Sequence, residues 1–416
     1  MYFTNFDAES ITDTKLTAGT KRLLNYRATI AEAPVTRPEY ALMHPKEPEL
    51  HDALSEVAAR YKKKTKHVLL IGIGGSSLGT EAVHEALTDG TGPELSVLDT
   101  VSGPRLEHVL ARLTRYKRAS DVVICAISKS GSTTETMSNL GVVADRLEKH
   151  FGSAVREQFI YIGDPETDFL KAGKRRGGMT LAMPAAIGGR YSVATVVGLV
   201  PLILLGYEVD EYIAGFLAAN EPEFATVAEG GAARIALYTK AGYRHLNFFA
   251  FEPQLQALGA WYRQLFAESL GKEHDRQGRV VTKGMLPTIS TPVELHSVGQ
   301  LYLSGFPGVY TDFVTFAEAP PDPKIPATPF TKPLKGKTIG EVATALYGGV
   351  IGAYEERGLP HRTTIFDEES RAYALGCFMG LRMREVICAA ELLDRNAFDQ
   401  PNVELYKSKS KEILGI

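Results

Sequence analysis

Residues 121–135 read Asp121-Val-Val-Ile-Cys-Ala-Ile-Ser128-Lys-Ser-Gly-Ser-Thr-Thr-Glu135. The apolar run predicts a buried strand, the Ser/Thr/Gly run a turn, and a helix follows from about Glu135. The same order of elements stands upstream. His67-Val-Leu-Leu-Ile-Gly-Ile is a strand, Gly74-Gly-Ser-Ser-Leu-Gly a turn, and a helix begins near Thr80. Gln158-Phe-Ile-Tyr-Ile-Gly is a third strand. Continuous apolar strands alternating with helices indicate a parallel sheet covered on both faces.

The pattern restarts further along. His245–Phe251 reads as a strand and Gln254–Leu270 as a helix; Met285–Thr291 and Gly308–Ala317 are further strands. Thr338–Arg357 is helical, Arg362–Phe366 a short strand, and Glu368–Leu393 a long helix. The fold class is therefore α/β, with two three-layer αβα units. Each has a mainly parallel sheet flanked by helices, and helical segments stand at the N- and C-terminal ends. The expected boundaries are a polar helical arm at 1–45, a first unit at 46–215 and a second at 216–416. The Pro-rich stretch Ala319–Pro333 reads as a surface loop.

The chain's 416 residues exceed what one hydrophobic core serves, in keeping with two units. Hydrophobic residues make up 44% and charged residues 23%, as in a globular protein. With 46 basic against 49 acidic residues there is no basic excess to favour nucleic acid, so an anionic ligand needs local cationic groups. Three cysteines, Cys125, Cys377 and Cys388, form no CxxC pair and suit a reducing compartment. The first residues lack the shape of a signal peptide, and the apolar run Val193–Leu205 is too short to span a bilayer. A cytoplasmic protein without membrane contact is expected.

The two Gly/Ser-rich turns carry the first chemical signal. A strand-to-helix turn presents unpaired backbone N–H groups at a helix N-terminus, which favours an anion. Gly74, Gly75 and Gly79 allow close approach of a ligand in the first turn, beside Ser76. The second turn adds the hydroxyls of Ser128, Ser130 and Thr133 and the ammonium of Lys129. A helix cap needs one or two such residues, not a run of them, so a phosphate held without metal is the reading. The spacing fits neither the dinucleotide fingerprint, whose third glycine would fall at Ser77, nor a Walker A loop.

Further motifs narrow the class. The paired turns resemble those of sugar-isomerase (SIS) domains. Ile187-Gly-Gly189-Arg190-Tyr-Ser, Gln264-x-x-x-Glu268-Ser-x-Gly271-Lys272, His296-x-x-x-Gln300 and Phe398-Asp-Gln400-x-x-Val-Glu-Leu-x-Lys407 follow in order. Together they resemble the glucose-6-phosphate isomerase family in its short bacterial form. Pro401-Asn402 and Tyr406 depart from that family's pattern. The resemblance implies reversible isomerisation of glucose 6-phosphate and fructose 6-phosphate, in glycolysis and gluconeogenesis. It also implies no cofactor and no metal, and a homodimer in which the neighbouring subunit could supply His296.

It implies roles as well. Glu268 is the base that moves a proton between carbons 1 and 2, and Arg190 the fixed cation beside the enediolate. His296 and Lys407 open the sugar ring. Glu135 contacts the reacting hydroxyls, Gln264 and Gln400 bind phosphate or sugar, and Gly189 lines the site. A related amino-sugar or dual glucose/mannose isomerase stays open as an alternative. Lys272-Glu-His274-Asp275 is the densest candidate for metal ligands, and it reads as a charged, solvated loop.

Overall fold

The computed structural model describes residues 1–281, 284–317, 322–367 and 370–416. The start of the expected helix at Glu368 and the residues Ala319–Pro321 of the Pro-rich stretch lie outside the described residues.

Two five-stranded sheets organise the chain. The first holds β2 (His67–Ile71), β3 (Glu94–Leu98), β4 (Val122–Ile127), β5 (Phe159–Gly163) and β6 (Met179–Ala182), in the order β3-β2-β4-β5-β6. Every pair in it is parallel. All residues of β2, β4 and β5 are buried, as their unbroken apolar sequences require of a sheet covered on both faces. From β2 the chain steps outward to β3, then crosses back to β4 on the other side of β2. That reversal opens a crevice beyond the carboxyl ends of β2 and β4, where both Ser-rich turns emerge.

The second sheet runs β1-β10-β9-β7-β8, with β1 Tyr2–Phe6, β7 His245–Ala250, β8 Leu286–Ser290, β9 Val309–Phe316 and β10 His361–Phe366. The last four are mutually parallel, and β1 joins the edge antiparallel to β10. The N-terminal segment therefore opens with a strand, where a wholly helical arm was expected. Its residues, Tyr2-Phe-Thr-Asn-Phe6, are mostly exposed and form no continuous apolar run, and main-chain pairing with β10 makes it a strand. Helices Asp13–Arg22 and Leu24–Ala31 follow.

Two buried helices frame the site, and the second of them ties the sheets together. Val196–Leu204 is buried along its whole length, Pro201 included. Gln256–Leu270 follows β7 and packs both on the second sheet and on helix Leu78–Leu87 of the first. The residue at its far end, Glu268, is thereby carried to the crevice of the other sheet.

Candidate active site

The first turn is built by backbone contact. Gly74 has a φ of +62°, and a side chain there would run into the Gln264 amide, its first atom 2.7 Å from Nε2. A Cβ on Gly75 would lie 2.1 Å from the carbonyl carbon of Gly189. Only glycine lets the two turns touch. The glycine expected to admit a ligand admits the Gly188-Gly189-Arg190 turn, and Ser192 Oγ donates to the Gly75 carbonyl at 3.4 Å.

The second turn keeps its helix end open. Thr133 is the N-cap of helix Thr134–Phe151, yet no side chain caps that helix. Ser128 Oγ and Thr133 Oγ1 lie 3.2 Å apart, and Ser130 Oγ accepts from the amide and hydroxyl of Ser132. The hydroxyl run thus surrounds the helix N-terminus without spending itself on the cap. Glu135 is half-buried on the first turn of this helix. Lys129 turns away from its neighbours. Its ammonium donates to the carbonyls of Ala185 and Ile187, at 2.6 and 2.9 Å, and so binds the second turn to the segment leading into Gly188. Burial pushes its pKa down.

Arg190 is the centre of the cluster. It is 4% exposed, and all five of its N–H donors are occupied. Nε donates to Ser269 Oγ at 2.9 Å. Nη1 donates to Glu268 Oε2 at 3.0 Å and Gln400 Oε1 at 2.9 Å. Nη2 donates to the carbonyls of Ala397 at 2.6 Å and Asp399 at 3.1 Å. The other oxygen of Glu268 accepts from Gln264 Nε2 at 3.0 Å. The Glu268 side chain is 35% exposed, so a carboxylate held at both oxygens still faces the crevice. Gln264 Oε1 is buried without a hydrogen-bond partner.

The structure therefore brings together Gly75, Gly189, Arg190, Gln264, Glu268 and Gln400, with the Ser128–Glu135 turn at the end of the adjacent strand β4. Among the described residues no contact joins His296 or Lys407 to them. His296 is exposed at the end of the 3-10 turn Pro292–His296, after β8. Lys407 pairs with Glu404 at 2.7 Å on helix Glu404–Leu414, which buries no residue. Two participants lay hidden in the motifs. Ser269, fully buried, also hydrogen-bonds the Tyr191 hydroxyl at 2.7 Å. Lys272, read as part of a solvated loop, has a side chain only 6% exposed, because it turns inward onto main-chain carbonyls. Ser269 directly follows Glu268 and Lys272 stands four residues on, both within its motif, which was the available signal. No group of three or more potential His/Cys/Asp/Glu metal ligands occurs among the described residues.

Comparison with known proteins gives the family and the fold. The family model described as phosphoglucose isomerase matches residues 51–320. The glucose-6-phosphate isomerase of Carboxydothermus hydrogenoformans is 32% identical over 388 residues, covering 87% of this chain and 82% of that protein. That of Thermus thermophilus is 33% identical over 378 residues, covering 88% of each. A solved structure of a hypothetical protein from Thermus thermophilus superposes with a TM-score of 0.82 at 31% identity, over 96% of this chain and 94% of the other. A glucose-6-phosphate isomerase structure from Chlamydia trachomatis shares the fold, with a TM-score of 0.82 at 19% identity, over 99% and 88% of the two chains.

Proposed function

The chain belongs to the phosphoglucose isomerase family, and from that premise we propose how it interconverts glucose 6-phosphate and fructose 6-phosphate. The observation that carries the reading is the convergence of Arg190 and Gln264 on the two oxygens of one half-exposed carboxylate, Glu268.

The phosphate binds at the open N-terminus of helix Thr134–Phe151, among Ser128, Ser130 and Thr133, with the Gly75-Ser76 backbone opposite. Lys129 holds the wall of this pocket by its bonds to Ala185 and Ile187. The sugar then extends toward Glu268. Gln264 Oε1 is an acceptor, and a phosphate oxygen at neutral pH is an acceptor too, so its match is a sugar hydroxyl. Gln400 and Glu135 flank the same stretch.

Glu268 removes the proton from carbon 2, electrons shift toward the carbonyl oxygen on carbon 1, and the enediolate forms. The same carboxyl returns the proton to carbon 1, while the hydroxyl on carbon 2 passes its proton to the oxygen on carbon 1 and becomes the ketone. Arg190 is the fixed charge beside the enediolate, and it does not deprotonate during the cycle. Its donors are all engaged, so a substrate oxygen reaches Nη1 by displacing Gln400 Oε1 or Glu268 Oε2. Base, cation and phosphate donors are all side chains or amides of this chain, and the mechanism uses neither metal nor cofactor.

Ring opening falls to His296 and Lys407. Because neither meets the cluster in one chain, the assignment requires a homodimer in which a second copy delivers His296. Helix Glu404–Leu414 leaves Leu405, Tyr406, Ile413 and Leu414 exposed and must settle against protein for Lys407 to act. No helix of the described residues is long and apolar enough to cross a membrane. A cytoplasmic site of action suits this substrate.

Glu268→Gln tests the core of the proposal. We expect kcat for fructose 6-phosphate to fall by about 10²–10⁴-fold, with phosphate-ligand binding nearly intact. Near-normal turnover would remove Glu268 as the base. Full activity after exhaustive chelation is the companion expectation, and loss of activity restored by a divalent ion would overturn the metal-free route.

A further inference from the structure

Lys272 belongs to the Glu268 motif, yet the reaction as described gives it no part. Its ammonium has three donors and three acceptors. It donates to the Glu268 carbonyl at 2.7 Å, to the Asp399 carbonyl, and to the Asp399 carboxylate at 3.0 Å. Each end of this span matters to the site.

At one end is the last turn of helix Gln256–Leu270. The Gly271 amide closes on Ala267, and the Lys272 amide donates to Leu270. The Glu268 carbonyl is thus one of the acceptors a helix C-terminus leaves without an amide partner. The Lys272 ammonium fills that vacancy, with the favourable sign for the helix dipole. At the other end is the segment 396–402, which carries Gln400 and the carbonyls of Ala397 and Asp399 that accept from Arg190. The Asp399 carbonyl accepts from Arg190 and Lys272 alike.

A cavity of about 530 Å³ lies beside this segment, lined by Asn396, Asp399 and Asn402 together with Lys272 and His274. On that side the segment faces open space, and its packing comes from the other side, where Ala397 is buried and the Phe398 ring lies 5.2 Å from that of Tyr191. A polar tether adds a fixed length to that one-sided packing. Burial lowers the Lys272 pKa, and the Asp399 carboxylate works against that shift.

We propose that Lys272 is a positioning residue, a tether that sets the register between Glu268 on its helix and the segment holding Gln400 and the acceptors of Arg190. The proposal rests on Glu268 as the base. It places the control of base-to-cation geometry four residues beyond the base, in a group that never meets the substrate.

Lys272→Met keeps the aliphatic stem and removes all three donors. We expect kcat per folded protein to fall by about 10- to 100-fold, the scale of a misplaced base. Competitive inhibition by inorganic phosphate, which reads the distant Ser-rich turn, should change by less than about threefold. Lys272→Arg, which retains charge and donors, should recover part of the loss. A purely structural lysine would lower the yield of folded enzyme and leave its kcat alone. A kcat within about threefold of the parent in folded Lys272→Met overturns the tether. If that variant does not fold, Asp399→Asn decides. A fall in kcat of about three- to tenfold with unchanged phosphate inhibition supports the tether, and an unchanged kcat overturns it. Glu268→Gln measured in parallel separates the two readings. An active Glu268→Gln enzyme removes the base assignment itself; an inactive one beside a fully active Lys272→Met enzyme removes only the tether.

Discussion

Arg190 at the crevice and the pair Arg362 and Arg382 beneath the second sheet all meet carboxylates, but the two places are put together differently. Under the sheet, Arg362 contacts Asp312 at 2.6 Å and also Glu385. Arg382 contacts Asp312 at 3.0 Å and Glu385 at 2.9 Å. Two cations face two anions with essentially no exposure, and each arginine still leaves its Nε without a partner. At the crevice one cation faces one carboxylate, four of its five acceptors are neutral, and no donor is idle. The core site balances charge and tolerates an idle donor. The crevice site fixes orientation at every donor and leaves its carboxylate half-open. On the proposed mechanism, buried charge serves the first as a constraint on folding and the second as chemistry.

The largest expected effect falls on the core. Glu385→Gln leaves two buried guanidiniums against one carboxylate, and breaking such a pair costs about 3–5 kcal/mol. Urea unfolding should show that loss, while kcat of the folded fraction stays within about fivefold, because Glu385 bonds Tyr262 on the helix of Glu268 but none of the site's own side chains. A stable variant would break the contrast, since charge balance would then not govern the core. Next comes Arg190→Lys. An ammonium cannot reach five acceptors set out for a planar fork. We expect kcat to fall by about 10²–10³-fold, the scale of losing a preorganised donor to developing negative charge. Retained turnover would reduce Arg190 to a bare charge.

Acid should separate the regions by a smaller margin. Burial pushes the Glu385 carboxyl up, but Arg362 and Arg382 more than offset this and hold it below the ordinary carboxylate range. Between its folded and unfolded pKa values the unfolded chain therefore binds more protons, and stability rises with pH. That contribution is complete above the unfolded value of about 4.3 and is lost as the pH falls through the folded one. The urea midpoint of the parent should drop more steeply between about pH 5 and pH 3 than that of Glu385→Gln. Parallel slopes would mean that Glu385 carries no such linkage.

How much of this could be read from the sequence depended on what held each element. β2, β4 and β5 are buried on both faces, and their apolar runs said so. β1 is interrupted by Thr4 and Asn5 and exists through pairing with β10, while β3 opens on Glu94 and Leu95 at a sheet edge; neither carries a continuous apolar run. In the site, Arg190, Gln264, Glu268 and Gln400 were legible because their side chains meet one another. Lys272 was read as solvated because its partners are chiefly main-chain carbonyls, whose positions no residue type announces, and Ser269 was passed over although it meets the side chains of Arg190 and Tyr191. His296 and Lys407 fit their motifs and still stand apart from the cluster within one chain.

Ser269→Ala gives the smallest effect and bears most directly on the contrast. Ser269 Oγ accepts from Arg190 Nε at 2.9 Å and pairs with the Tyr191 hydroxyl at 2.7 Å. Tyr191 keeps a second acceptor in the Ala397 carbonyl at 3.1 Å, so the deletion strands one donor, the Nε–H of Arg190. An unsatisfied buried donor costs about 1–3 kcal/mol, with the low end expected for a group whose four other donors stay engaged. The substitution puts Arg190 in the condition in which Arg362 and Arg382 already stand. If orientation at every donor is what the crevice requires, kcat should fall by about three- to tenfold, more than any change in phosphate inhibition. If kcat stays at the parent's value while stability alone drops, the crevice arginine tolerates an idle Nε as the core arginines do, and its orientation rests on Nη1 and Nη2 alone.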